Sequence, residues 1–340
     1  MQLDERKRRV MRAIVEAYVL NAQPVGSRTI ARDYDLGVSP ATIRNEMSDL
    51  EGMGYLEQPY TSAGRVPSDL GYRFYVDQLV MVSTPASEQL EQIRRLLEHR
   101  VSAVEAVLQT AGRILAEVTD CLAVVAAPYP EESTLNAVEI ISLRPGRAML
   151  LVITEEGCVH NQILDLPDEI GDDALRHASQ VITRFLHGER LRDIVDGPIW
   201  WELRSELNYC RRLLDVAAEA LTSRDRSQVD FHLEGAVNIM KQPEFQDVRR
   251  AQKVLTALSR HSVMRDMFSP FPAEGVFALI GRENVYEDIW DCSVVSAVYH
   301  IDGRPSGRLG VLGPRRMDYG KIMGVVKAIT EAVSDVLSHL

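Results

Sequence analysis

The 340-residue chain holds four cysteines, Cys121, Cys158, Cys210 and Cys292, and no two of them form a CxxC pair. That scatter signals neither a zinc site nor a disulfide framework and predicts reduced, semi-buried thiols. Long apolar runs are missing as well: none approaches the roughly 20 residues of a membrane span. The N-terminus MQLDERKRRV also lacks the apolar segment of a secretory signal. The expectation is a cytoplasmic protein with no membrane partner. Catalytic and cofactor signatures are equally scarce. The eight histidines are scattered without HExxH, and there is no GxSxG elbow, no P-loop and no GxGxxG. The chain is therefore read as a non-enzyme with no metal and no cofactor. Repeats and low-complexity tracts are absent too.

What is present is a globular composition, 46% apolar and 26% charged, on a chain long enough for two or three domains. The net charge of −11 is unevenly placed. Residues 1–80 carry ten Lys and Arg against eleven Asp and Glu, so the remaining 260 residues hold all but one unit of the excess. Arg6, Lys7, Arg8, Arg9 and Arg12 crowd the start of this near-neutral segment, and Arg28, Arg32, Arg44, Arg65 and Arg73 are spaced later. Such a segment can present one basic face to a polyanion.

Within it, Ser39 to Met47 reads SPATIRNEM. Ser39 is a good N-cap, and Pro40 suits the first helical position, where no N–H is needed. Ile43, Met47 and Leu50, spaced four and three apart, form a buried stripe. That turns Ala41, Asn45 and Ser48 outward, with Thr42 and Arg44 on the flanks. An earlier helix over about 4–20 carries Val10, Ala13, Ile14, Ala17 and Leu20 in stripe and ends at the breaker NAQPVG. Ser27 is expected to cap a short second helix with Ile30, Ala31 and Tyr34 inward. After Gly52 and Gly54 end the third helix, 55–58 and 65–66 read as a small hairpin around the turn TSAG, with Arg65 at its tip. Ser68 then caps a helix striped by Tyr72, Tyr75, Val76 and Leu79.

Three helices followed by a hairpin is the order of a winged helix-turn-helix, whose third helix enters the major groove of duplex DNA. Arg and Asn can contact guanine and adenine edges, Ser and Thr suit phosphates, and a basic hairpin touches the backbone or minor groove. The residues expected to meet double-stranded DNA are Ser39, Thr42, Arg44, Asn45 and Arg65, together with Arg28 on the second helix.

Beyond a hinge at STPAS, 83–87, an amphipathic run over about 87–118 predicts one long connecting helix that packs or dimerises. Segments 121–127, 138–143, 148–154 and 159–164 read as strands of one sheet, with RPGR and TEEG as hairpin turns. Strands return at 276–280, 292–299 and 309–312, and a helix from Asp318 closes the chain. Two or more helices at 171–222, between the two sets of strands, suggest an insertion into an α+β sheet domain. Trp200 and Trp201 are read as core or interface. GRLGVLGPRRMDYGK, 307–321, could cradle an anion through its glycines and paired arginines. The simpler reading is a strand, a turn and a helix start, with Met317 and Tyr319 packed inward.

PVGSRTIA, VSPATIRNEMSDLEGMGYLEQPYTSAGRVPSDLGYRFYVD, QPEFQDV at 242–248 and GRPSGRLGVLGPRRMDYGK together resemble the heat-inducible transcription repressor HrcA family. The match covers both ends of the chain and the order between them, whereas about 165–230 is similar only in general character. The resemblance implies an α+β multidomain chain: a winged helix-turn-helix at 1–82, a GAF-like α/β domain with its connecting helix at 83–165 and 228–340, and an inserted, mainly helical dimerisation domain at 166–227. It further implies a homodimer that represses heat-shock chaperone operons by binding an inverted-repeat operator, with its active fraction maintained by the chaperonin. One alternative is a winged-helix regulator switched by a small ligand in the GAF-like domain, motivated by the turn near 313–316. Another is a winged helix used only for protein contacts.

Overall fold

A computed structural model describes residues 3–98, 104–128, 133–155, 157, 159–166, 170–194, 203, 231–268, 272 and 274–339. Its N-terminal unit is built around helix α1 (Glu5–Asn21), which Asp4 caps by accepting from the Lys7 N–H. Three further helices, α2 (Ser27–Asp33), α3 (Pro40–Gly52) and α4 (Asp69–Gln78), pack on it. This cover buries Met11 and Val15 along with Val10, Ala13, Ile14 and Ala17. The buried arc is thereby shifted round the helix, and Leu20, expected inward, stands out at 79% exposure. The cap of α2 is Gly26 rather than Ser27, and no side chain accepts there. Strands β1 (Leu56–Glu57) and β2 (Val66–Pro67) form the expected antiparallel hairpin. Ser68 ties its base down, donating to the Gly54 carbonyl at 2.6 Å and accepting from the Gly71 N–H at 3.0 Å to cap α4.

The run expected as one long helix is two, α5 (Ser87–Glu98) and α6 (Val104–Thr119). They pack on each other and on the C-terminal helix; 99–103 lie outside the described residues. The expected hinge is pinned rather than free, because the Ser83 N–H donates to the Gly320 carbonyl at 3.1 Å.

Strands β3 (Leu122–Ala126) and β7 (Phe231–Glu234) are hydrogen-bonded neighbours, so the chain between them leaves the main sheet and returns to it. The short β7 had no counterpart among the expected strands. In the excursion lie β4 (Leu135–Arg144), β5 (Arg147–Thr154), β6 (Val159–Asp165), α7 (Asp172–Leu186) and the short α8 (Leu191–Ile194). This corrects the sequence expectation: among the described residues the strands at 138–164 pair only with one another, as a separate sheet in the order β4-β5-β6. Their inner face, Val138, Ile140, Leu150 and Val152, forms its own core with Leu175, Ala178, Val181 and Ile182 of α7. Thr183 and Ser179 on α7 accept from the Val138 and Ile140 N–H groups, each at 2.8 Å, which satisfies the open edge of β4. The described part of the insertion is thus mixed α/β rather than mainly helical, and its near edge lies before Ser133 instead of at 166. Trp200, Trp201 and the expected helices beyond Ile194 lie outside the described residues, apart from Leu203.

The main sheet is completed by β8 (Val276–Ile280), β9 (Cys292–Ile301) and β10 (Arg304–Pro314), antiparallel throughout in the order β7-β3-β10-β9-β8. Helices cover both faces. Ala123, Val125, Val295 and Val311 share a core with the α5, α6 and α12 (Tyr319–Leu337) side. Leu122, Val124, Val294 and Leu312 pack under the opposite layer, α9 (Ala236–Lys241), α10 (Val248–Leu258) and α11 (His261–Phe268). Burial on two faces explains why β3 reads as an unbroken apolar run.

The N-terminal unit docks on this domain through charge and aromatic contacts. Asp69 at the start of α4 pairs with Arg315 at 2.7 Å, and Arg73 pairs with Glu283. Arg316 bonds Glu244 at 2.5 Å and the Val19 carbonyl at 3.1 Å. Tyr72 and Tyr319 meet with ring centroids 6.0 Å apart. Both arginines of the 313–316 turn are therefore occupied by carboxylates, while Met317 and Tyr319 are buried as expected.

Two outcomes follow from this packing. A Cβ on Gly324 would stand 1.9 Å from the Ser83 carbonyl oxygen. Gly324→Ala should therefore cost about 1–3 kcal/mol and speed hydrogen exchange over 80–86, measured by thermal unfolding and mass spectrometry. Burial pushes the Cys121 thiol up to about 11 and the Cys292 thiol higher still. At neutral pH both should resist iodoacetamide in the native protein and react after denaturation, as read from peptide masses.

Candidate nucleic-acid interface

The local chemistry of α3 follows the sequence closely. Ser39 is its N-cap in extended backbone, and its hydroxyl accepts from the Thr42 N–H at 3.2 Å while lying 3.0 Å from the Thr42 hydroxyl. Ile43, Met47 and Leu50 are buried, and Ala41, Arg44, Asn45 and Ser48 are exposed. Glu46 is the surprise, buried at 8% exposure beside the apolar stripe. Lys7 on α1 faces it, with Nζ at 2.8 Å from Glu46, 3.1 Å from Asp49 and 3.4 Å from Asp4. The Glu46 carboxylate, and then that of Asp49, hold the ammonium charged well above the usual lysine range. The inner face of α3 is thus fastened to α1 by a charge cluster as well as by its core residues.

The bases crowded at the start of the chain are likewise engaged within the unit. Arg8 and Arg12 donate to the Gln78 and Leu79 carbonyls, at 3.3 and 3.0 Å, and so satisfy the C-terminal end of α4. Arg9 donates to the Asp35 carbonyl at 2.8 Å, between α2 and α3. Arg6 pairs with Glu46, Arg32 with Asp33, Arg65 with Glu51, and Arg73 with Glu283 and Asp77. Of the ten Lys and Arg in residues 1–80, all of them described, only Arg28 and Arg44 have no hydrogen-bond or ion-pair partner among the described residues. Both are exposed, on neighbouring helices α2 and α3.

Arg65 is not at the hairpin tip, which corrects the sequence reading. The tip is the turn at 60–63, closed by the Ala63 N–H donating to the Tyr60 carbonyl at 2.9 Å, with Tyr60, Thr61 and Ser62 exposed. Gln58 braces it by donating to the Thr61 and Ala63 carbonyls. Arg65 sits at the base because its backbone pairs with Val25 in an isolated bridge, N–H to carbonyl at 2.9 and 2.8 Å. Its side chain is only 19% exposed and reaches Glu51 on the last turn of α3 at 2.8 Å.

The structure therefore gathers Ser39, Thr42, Arg44 and Asn45 at one helix start, leaves Arg28 exposed on the neighbouring α2, and withdraws Arg65. Sequence reasoning missed Glu46, Lys7 and Glu51. The spacing of Glu46, three residues after Ile43 and four before Leu50, was the available sign that it lies in the buried stripe. Among the described residues no group of His, Cys, Asp and Glu could hold a metal ion, and no helix is long and apolar enough to cross a membrane.

Comparison with known proteins supplies the biological setting. A family model described as the HrcA protein C terminal domain matches residues 105–323. A heat-inducible transcription repressor HrcA of Pelotomaculum thermopropionicum is 42% identical over 346 residues, covering 100% of this chain and 98% of the relative. That of Desulforudis audaxviator is 41% identical over 348 residues, covering 100% and 99%. The crystal structure of a hypothetical protein aligns with a TM-score of 0.62 at 22% identity, covering 99% of each chain, and shares the fold. The class these full-length matches define is the heat-inducible transcription repressors. The chain belongs to the HrcA family.

The charge census makes a testable distinction. Lys7→Met leaves the Glu46 carboxylate buried without its nearest cation and should lower the thermal midpoint clearly. Arg28→Ala and Arg44→Ala remove unpaired surface groups and should stay within about 0.5 kcal/mol of the parent in denaturant unfolding.

Proposed function

We propose that the N-terminal unit is a winged helix-turn-helix and that α3 enters the major groove of an inverted-repeat operator, where the protein acts as a homodimeric repressor of heat-shock chaperone genes. The observation that carries this reading is the charge census: Arg28 and Arg44 are the cations left unpaired, beside exposed Asn45 on a capped helix start. Arg44 and Asn45 read base edges; Ser39, Thr42 and Arg28 meet phosphates. The exposed hydroxyls of Tyr60, Thr61 and Ser62 touch the sugar-phosphate backbone from the hairpin tip. The sheet domain, with its first and last strands side by side at the centre and helices on both faces, serves as the GAF-like body that carries this unit.

An inverted repeat calls for two-fold symmetry. The outward face of β4-β5-β6 supports a second copy as the partner. Register brings Ile141, Met149 and Ile163 into one row and Ala137, Ile153 and Val159 into another. Ile141, Val159 and Ile163 are 48%, 58% and 56% exposed, an apolar face that monomers seldom present. Heat response follows from protein availability. The chaperonin maintains the folded fraction, and its diversion to heat-damaged clients lets that fraction fall.

Fluorescence anisotropy with an inverted-repeat duplex, against competitor DNA and at several salt concentrations, tests the DNA reading. Arg44→Ala should cost about 1–3 kcal/mol and relax preference at one base position in each half-site; parent-like binding would remove Arg44 from the base-reading role. Ile163→Asp should shift the protein from dimer to monomer in sedimentation, and an unchanged dimer would put the seam elsewhere. Adding chaperonin to heat-treated protein should restore duplex binding, whereas no recovery would leave the heat response to another cause.

A further inference from the structure

Arg65 joins three parts of the N-terminal unit at once. Its backbone exchanges two hydrogen bonds with Val25 in the connection between α1 and α2. Its guanidinium donates through Nε to Glu51 Oε2 at 3.0 Å, at the carbonyl end of α3, and through Nη1 to the Ala63 carbonyl at 3.5 Å, beside the hairpin tip. The approach is close enough that a Cβ on the preceding Gly64 would fall 2.4 Å from the Val25 carbonyl. Backbone and side chain together therefore fix where the tip stands relative to α3.

We infer that Arg65 is a positioning residue: it sets the separation between the reading helix and the hairpin tip, so that both engage one duplex together, and it contacts no phosphate itself. This rests on the DNA-binding reading above and deepens it. With Nε and Nη2 both held on Glu51 and the side chain only 19% exposed, a phosphate would have to compete with Glu51 for the same edge of the fork. Glu51 is then part of the DNA-binding geometry although, as an acid, it can only repel the ligand.

That sign separates positioning from contact. The full chain is titrated with the inverted-repeat duplex over a salt series as parent, Arg65→Ala, Arg65→Lys, Glu51→Gln and the Arg65→Ala/Glu51→Gln pair, with Arg44→Ala as the contact control. Arg65→Ala and Glu51→Gln are each expected to weaken binding at least about threefold, and the pair to be no worse than either alone. The slope of log affinity against log salt should stay at the parent value. Glu51→Gln binding as tightly as the parent or tighter, or an Arg65→Ala slope flatter by about 0.9, would overturn the inference and make Arg65 a phosphate ligand. Arg65→Lys, which keeps the charge without the fork, should fall between parent and Arg65→Ala and guards against a variant that fails to fold. Should the parent not bind the duplex, the DNA reading fails. The latch is then judged by hydrogen exchange over 56–67, faster in Glu51→Gln if the latch holds and unchanged if it does not.

Discussion

A carboxylate buried on the inner face of α3 needs a cation, and Lys7 supplies it. The rest of the N-terminal unit is arranged around that requirement. Once Glu46 is paired to α1, the roll of α3 is fixed, Ile43, Met47 and Leu50 fill the core, and Arg44 and Asn45 have nowhere to go but out. Arg8, Arg9 and Arg12 complete the scaffold by satisfying carbonyls at helix ends rather than by meeting a ligand. The basic start of the chain is thus engaged within the fold, and among the bases of residues 1–80 only Arg28 and Arg44 stand exposed with no partner among the described residues.

The same logic extends across the domain boundary. Asp69, Arg73, Arg315 and Arg316 link α4 and α1 to the central sheet, and the shared core passes through Tyr72 and Tyr319. The N-terminal unit is consequently held in a defined orientation on the sheet domain. The insertion that leaves from β3 and returns at β7 has a core of its own, and Ile141, Val159 and Ile163 on the outward face of its sheet stay exposed.

Much of this was legible in the sequence because it is written in local chemistry. The SP start of α3, the Ser68 cap and the turn residues of the hairpin all act within a few positions, and each appears in the structure. What was not legible depends on distant partners. Arg65 looked like a hairpin tip because nothing near it in sequence announces Val25 or Glu51. Strands 138–164 looked like part of the main sheet because alternation reveals a buried face but not which strand lies alongside. Residues 87–118 read as one helix because an apolar stripe continues unchanged from one helix into the next. Glu46 was passed over because its partner Lys7 lies 39 positions away.

On the proposed reading, the outer face of α3 meets base edges in the major groove. The most direct measurement is site-specific cross-linking from position 45 of the full chain to an inverted-repeat duplex, with the cross-linked nucleotides identified by sequencing. Adducts are expected on major-groove base edges at symmetric positions in both half-sites, abolished by excess specific duplex. Adducts confined to the sugar-phosphate backbone, or formed equally on an unrelated duplex, would contradict it.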